Sequence, residues 1–149
     1  MKFALFPLCF LVLVSTTAFA ALGGDENSIK NEIDSMHAKR TITPHEKYAL
    51  HEVTKKGLRV HQFMGSSGKV FALAWQGKNH PDFSVVMGSH LAEFQQALAQ
   101  AKANRHGRGP ITIDVGNFHL EMGGHAMAVH GRAWMTNRIP AGVDQNELH

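Results

Sequence analysis

The chain has a single cysteine, Cys9, and that residue lies inside an apolar run near the start, Phe3–Val14. With Lys2 before the run and Ala18-Phe19-Ala20 after it, residues 1–20 have the three-part layout of a secretory signal peptide. The run is shorter than the roughly 20 residues that cross a bilayer. Cleavage after Ala20 would leave a cysteine-free chain, which excludes disulfides, thiolate metal sites and cysteine nucleophiles.

Long apolar runs and clustered charge are also missing after residue 20. No later stretch approaches spanning length, and the formal charge of +3, or +2 without Lys2, is spread along the chain. The sequence therefore predicts an exported protein, periplasmic or secreted, without a nucleic-acid surface. Residues 21–149 are long enough for one small domain. Histidine is abundant instead, with 11 residues that would make the protein more cationic in acid.

The mature N-terminus is predicted to be loose over residues 21–27, because "ALGGDEN" is flexible and polar. A short helix follows, with Ile29, Ile33 and Met36 on one face and Asn27 or Ser28 as the N-cap. Thr43-Pro44 is predicted to end this unit.

From Tyr48 onwards the apolar period changes to two. Residues 48–53, 58–64 and 69–76 are predicted strands, separated by glycine-containing turns. Closing the second turn with Met64 opposite Lys69 predicts one shared apolar face, made of Leu58, Val60, Met64, Phe71, Leu73 and Trp75. Trp75 continues this face without interruption, so a structural role is favoured over ligand stacking.

A helix is predicted to cover that face. Asp82 stands at its start, and the apolar residues then recur every three or four positions, at Phe83, Met87, Leu91, Phe94, Leu98 and Ala101. Gly88 weakens the helix, which we expect to bend or restart there. Further strands are predicted at 111–115, 117–122 and 125–135. The sequence thus predicts an α+β domain, with an antiparallel sheet of about five strands packed on one long central helix and a short N-terminal helix.

The segments "VHQFMGSSGKVFALAWQGKNHPDF", "MGSHLAEFQ" and "GGHAMAVHGRAW" resemble a bacterial exported family called domain of unknown function 2844. The matching positions are Val60, Phe63, Gly68, Val70, Phe71, Ala72, Trp75, Gly77, Pro81 and Asp82. The sequence departs from the family pattern at His61 and Gln62, where Arg and Glu are expected. The resemblance implies secretion and a small single domain, but it implies no activity.

A candidate metal site follows from Gly123-Gly124, which is a strong two-residue hairpin signal. Closing the hairpin with Met122 opposite His125 makes His119 and His130 diagonal neighbours, roughly 7 to 8 Å apart. With Glu121 on the same face, His119 and His130 would suit zinc or copper. The alternative is an ordinary polar, solvent-facing sheet surface. No compact metal-binding motif such as His-Glu-x-x-His is present to favour the metal site.

Two weaker chemical sites are also conceivable. Met122, His125 and Met127 resemble the thioether and imidazole ligands of copper(I), although Met127 is predicted to belong to the core. Ser66 and Ser67 lie near His61 in sequence, but a turn needs such residues for its conformation alone. No Gly-x-Ser-x-Gly elbow, phosphate loop or carboxylate pair occurs.

The leading functional hypothesis is therefore a non-catalytic exported protein that binds an unknown protein or envelope partner, without a cofactor. The second hypothesis is an extracytoplasmic zinc or copper binder that uses His119, Glu121 and His130. A histidine-driven pH switch is the third possibility, and it requires a buried or paired imidazole.

Overall fold

The computed structural model describes residues 22–105, 107 and 109–149, so the predicted signal peptide lies outside the described residues. The elements are α1 (Glu26–Met36), β1 (Lys39–Pro44), β2 (Tyr48–Lys55), β3 (Leu58–Gly65), β4 (Val70–Gly77), α2 (Phe83–Val86), α3 (Leu91–Ala103), β5 (Ile111–Val115), β6 (Phe118–His125) and β7 (Ala128–Met135). Short 3-10 helices span Gly88–His90, Thr136–Arg138 and Gln145–Glu147.

The strands form one antiparallel sheet of seven, in the order β1-β2-β3-β4-β7-β6-β5. Two meanders, β1 to β4 and β5 to β7, therefore meet where β4 pairs with β7. In the described part of the chain, seven strands accompany three α-helices, and α2 has only four residues. The prediction of an α+β domain with about five strands on one long central helix is wrong, because the fold is mostly β.

The additional strand at the start of the sheet is β1, at an edge. Its residues are almost all exposed, so no alternation of apolar and polar side chains marks it in the sequence. Thr43-Pro44 lies within this strand instead of ending a helical unit. Proline is tolerated at such a position because an edge strand leaves one side of its backbone unpaired.

One face of the sheet, here called the inner face, packs against the helices. Its core joins the sheet residues Val60, Leu73, Trp75, Leu120 and Ala133 with helical residues that include Ile29, Val86, Phe94 and Ala97. The structural interpretation of Trp75 is confirmed, since its side chain belongs to this core. Ile29 and Ile33 of α1 also contact this core, whereas the side chain of Met36 lies outside the described part of the chain.

The predicted apolar face is correct except at Phe71. The predicted closure with Met64 opposite Lys69 is wrong. A β-bulge sets Phe63 opposite Ala72 and Met64 opposite Val70, which leaves Phe71 as the extra residue of β4. Phe71 therefore packs with Phe63 in a second apolar cluster on the other face, here called the outer face.

The predicted helix after Asp82 is interrupted, as expected, at Gly88. Asp82 caps α2 by accepting a hydrogen bond from the backbone N–H of Ser84. Gly88 adopts a φ of 51° at the start of the 3-10 turn, and α3 begins at Leu91. Glycine adopts a left-handed φ readily, so the α-helical conformation is interrupted at Gly88 and resumes at Leu91.

The predicted loose N-terminus is wrong. Leu22 is only 1% exposed within the inner core. The backbone N–H of Leu22 donates to the oxygen of Val86, and that of Gly23 donates to the oxygen of Val70. The N-cap of α1 is Asp25, which forms a capping box with Ser28, instead of Asn27 or Ser28.

Candidate functional site

The strand registers arrange the outer face in three rows that run across the sheet. The polar row contains Arg59, Gln76 and His130 on β3, β4 and β7. The middle row contains Glu52, His61, Ala74, Arg132, Glu121 and Thr112. The apolar row contains Leu50, Phe63, Ala72 and Trp134 and then continues to His119 and Asp114. Direct cross-strand neighbours are about 4.5 to 5.5 Å apart, so side chains within a row can contact one another.

The C-terminal segment covers the apolar row. Leu148 is completely buried and packs with Phe63, Phe71, Ala72 and Trp134. Two hydrogen bonds attach this segment to the middle row. Nη1 of Arg132 donates to the oxygen of Gln145 at 3.1 Å, and Nδ1 of His61 lies 2.8 Å from the main-chain oxygen of His149. The segment leaves the polar row uncovered.

A groove of about 540 Å³ opens beside the end of this segment. Its position follows from side-chain size, because Ala74 lies in the middle row between two long side chains, those of His61 and Arg132. His149 lines the groove at the C-terminal segment, and Pro110 and Met122 line it as well. The groove thus combines small and apolar residues with a few polar groups, as ligand sites commonly do.

Ion pairs fix the side chains of the groove wall that β6 and β7 form. Nε of Arg132 donates to Oε2 of Glu121 at 2.7 Å, and Nε2 of His119 lies 3.1 Å from Oε1 of the same carboxylate. The hydrogen bond from Arg132, helped by that from His119, lowers the pKa of Glu121 despite its partial burial. The Arg132 guanidinium also lies over the ring of Trp134, 5.1 Å from its centroid. Arg132 is therefore fixed in position.

On the opposite wall, which β3 forms, the side chains are held by Glu52 of β2. Its Oε2 lies 3.0 Å from Nε2 of His61 and 3.5 Å from Nε of Arg59. Both ring nitrogens of His61 face acceptors, namely the Glu52 carboxylate and the main-chain oxygen of His149. His61 thus joins the groove wall to the C-terminal segment.

The predicted hairpin register is wrong, and this separates the predicted metal ligands. The β6–β7 turn lies at residues 126 and 127, with His125 opposite Ala128 and Gly123 opposite His130. Both glycines lie within β6, and Gly124 allows a close approach of the β7 backbone. A Cβ at Gly124 would lie only 2.2 Å from the oxygen of Ala128, and its φ is 106°.

His119, Glu121 and His130 do lie on the same face, but they do not converge. His119 and Glu121 are neighbours on β6, whereas His130 lies opposite Gly123, four residues from His119 and thus about 13 Å along the strand. His119 is bracketed by carboxylates, with Nδ1 2.5 Å from Asp114 and Nε2 3.1 Å from Glu121, and its ring stacks on Trp134. Within the described residues, no group of three or more His, Cys, Asp or Glu side chains is arranged to hold a metal ion.

The two weaker sites are not assembled either. Met122 packs against the inner core, whereas Met127 is 63% exposed at the hairpin turn instead of belonging to the core. Ser66 and Ser67 are exposed in the β3–β4 turn. The nearby His61 is engaged by Glu52 and His149.

The sequence patterns do not identify several residues that shape the groove, among them Arg59, Ala74, Arg132 and His149. The one local signal is Ala74, a small residue at an outward position of a strand with large neighbours. The groove, however, requires β4 to pair with β7, and no local pattern indicates that pairing. The described helices include none that is long and apolar enough to cross a membrane.

The chain thus adopts a mostly β fold. Its antiparallel sheet carries helices on one face and the groove on the other. The chain belongs to the family described as Protein of unknown function (DUF2844), whose model matches residues 18–148. The resemblance that the sequence suggested is therefore confirmed. No curated protein and no solved structure matches the chain.

Proposed function

We propose that this protein is an exported, non-catalytic binding protein and that its ligand occupies the groove over Ala74. The observation that carries the proposal is the gap in the middle row, where a small side chain lies between His61 and Arg132. A volume of about 540 Å³ falls within the range typical of small-molecule sites, about 300 to 1,000 Å³.

The fixed walls support binding as the role of this groove. Arg132 is held by Glu121, by the oxygen of Gln145 and by its position over Trp134. His61 is held between Glu52 and His149. A site whose polar side chains are already oriented loses less entropy when a ligand binds. The engaged nitrogens of His61 also favour a positioning role over that of a general base.

Export is supported by the sequence pattern of residues 1–20 and by the resemblance to an exported family. Expression of the full chain in a Gram-negative host, followed by fractionation and N-terminal sequencing, tests this part. We expect a periplasmic or secreted product that begins at Ala21. A cytoplasmic product that retains residues 1–20 would overturn it.

Binding is tested by thermal-shift screening of a small-molecule library against the purified mature protein. Ala74→Leu fills the groove, whereas Ala92→Leu adds the same volume at an exposed position on α3. We expect compounds that stabilise the wild type and the Ala92→Leu variant but not the Ala74→Leu variant. Hits that Ala74→Leu leaves unchanged would contradict the assignment of the groove.

The non-catalytic part is tested separately. The same protein is incubated with chromogenic ester, peptide and glycoside substrates, and we expect no turnover above that of a heat-denatured sample. Hydrolysis that Ala74→Leu abolishes would make the groove an active site and overturn this part of the proposal.

A further inference from the structure

The polar row, Arg59, Gln76 and His130, lies between two depressions of the outer face. Gln76 and His130 line both the groove over Ala74 and a second depression of about 470 Å³ near the β6–β7 turn. The second depression is also lined by Lys78 and His125, and its described lining includes no carboxylate side chain. The second depression therefore has a basic to neutral lining, whereas the carboxylates of Glu52 and Glu121 lie on the groove side of the row.

The members of the row are available to a ligand. Arg59 is 57% exposed, and its Nε lies 3.5 Å from Oε2 of Glu52. No hydrogen bond to another described residue engages either Nη group of its fork. No hydrogen bond or ion pair to another described residue engages Gln76 or His130, and both are exposed. This contrasts with the middle row, where Arg132 and Glu121 neutralise each other.

The spacing of the row suits a planar oxyanion. Arg59, Gln76 and His130 are direct cross-strand neighbours, so a guanidinium fork, an amide and an imidazole stand in line with steps of about 5 Å. A guanidinium fork binds a carboxylate with two parallel hydrogen bonds. The amide N–H of Gln76 can donate to the same group. The imidazole of His130 ends the row and lies beside Gly123 of β6.

We propose that the outer face binds a small organic carboxylate, with the carboxylate at Arg59 and Gln76, next to His130, and the apolar portion over Ala74. This inference rests on the proposed function, because it assigns a ligand class to the same groove. Lys78 adds long-range attraction for the anion from the neighbouring depression.

Three probes with the same pentyl chain separate charge from shape: hexanoate, its neutral amide hexanamide, and pentylphosphonate. Each is titrated into the ¹⁵N-labelled mature protein and followed by two-dimensional NMR. We expect hexanoate to shift amide signals of β4 and β7 near Gln76 and His130, and hexanamide to bind at least about tenfold more weakly.

Variants then locate the anion. Arg59→Gln is expected to weaken hexanoate binding by about tenfold or more, whereas Lys30→Gln removes an equal charge from an exposed position on α1 and should have no effect. Folding of each variant is verified from its own NMR spectrum. Equal effects of the two variants, equal affinities for hexanoate and hexanamide, or the absence of hexanoate binding would each overturn the inference. Tighter binding of pentylphosphonate than of hexanoate would overturn the assignment of a carboxylate.

The outcome is distinguishable from failure of the proposed function. Uncharged library compounds that Ala74→Leu excludes would leave the groove a binding site while removing the carboxylate assignment. Hexanoate shifts that Ala74→Leu does not alter would retain the anion at the polar row but contradict the placement of its apolar portion.

Discussion

Trp75 and Gly131 lie directly opposite each other on β4 and β7, with the indole ring against the glycine. A Cβ at position 131 would come within 2.3 Å of Cζ2 of Trp75 and 2.9 Å of the oxygen of Glu121. The absent side chain thus allows a tryptophan to pack at the junction between the two meanders of the sheet. Both residues also line the groove, and Trp75 belongs to the inner core as well.

Gly131→Ala is expected to destabilise the protein by about 1 to 3 kcal/mol, because the methyl group would force Trp75 or the β7 backbone to move. Urea unfolding followed by tryptophan fluorescence measures this change. Gly109→Ala is the matched control, since a Cβ there meets no atom within 4 Å and its φ is not in the left-handed region. Equal stability of the two variants would show that the strands accommodate the methyl group freely.

Leu22→Ala is expected to cost about 2 to 5 kcal/mol, as is usual for a buried leucine. Leu22 fills part of the inner core only two residues after the predicted cleavage position, and its N–H is bonded to Val86. The comparison variant is Ile42→Ala on the edge strand β1, where half of the side chain is exposed. A smaller loss for Leu22→Ala than for Ile42→Ala in urea unfolding would contradict the docking of the N-terminal segment.

The sequence predicts the second to fourth strands and the interrupted helix because their signals are local. The alternation through "KVFALAWQ" and the Asp82 cap with Gly88 depend on neighbours within a few residues. The edge strand β1 has no such signal, because an exposed strand needs no apolar periodicity. No local pattern predicts the burial of Leu22 either, since one apolar residue beside two glycines is typical of a loop.

The hairpin between β6 and β7 shows why the site could be predicted only in part. Gly123 and Gly124 predict a turn, but both lie within β6. At Gly124 the backbone of β7 approaches too closely for a Cβ. The predicted and observed registers place the same residues on the same faces, so His119, Glu121 and His130 do share a face. Distances along that face depend on the register, and the register depends on contacts that no local pattern contains.

His51 supplies the buried imidazole that a pH-dependent stability requires. It is 2% exposed beneath α1, where Nη2 of Arg40 donates to its Nδ1 at 2.7 Å and Glu26 lies 3.8 Å away. Gln62 is its neighbour on β3. Burial, followed by the Arg40 cation, lowers the pKa of His51 from 6.5, and Glu26 opposes this only in part.

The unfolded chain therefore binds a proton at His51 in a pH range where the folded protein does not. The contribution of His51 to the free energy of unfolding is complete above about pH 6.5 and is lost as the pH falls through the lowered folded-state value. We expect the urea midpoint to fall between about pH 7.5 and about pH 5.5, and His51→Gln to reduce that fall. His125→Gln, at the exposed hairpin end, should leave it unchanged. Identical pH dependence in the wild type and the His51→Gln variant would remove His51 as the cause.

Zinc titration of the mature, untagged protein tests the histidine hypothesis directly. His119 has a carboxylate at each ring nitrogen, and Glu121 is already bonded to Arg132. His130 is about 13 Å along the sheet, too far to share an ion that requires ligands at about 2 Å. We therefore expect weak binding at several sites by calorimetry, unchanged in a His119→Ala, His130→Ala double variant. Sub-micromolar, one-to-one binding that the double variant loses would require β6 and β7 to pair in the register that Gly123-Gly124 predicted, and would make the outer face a metal centre.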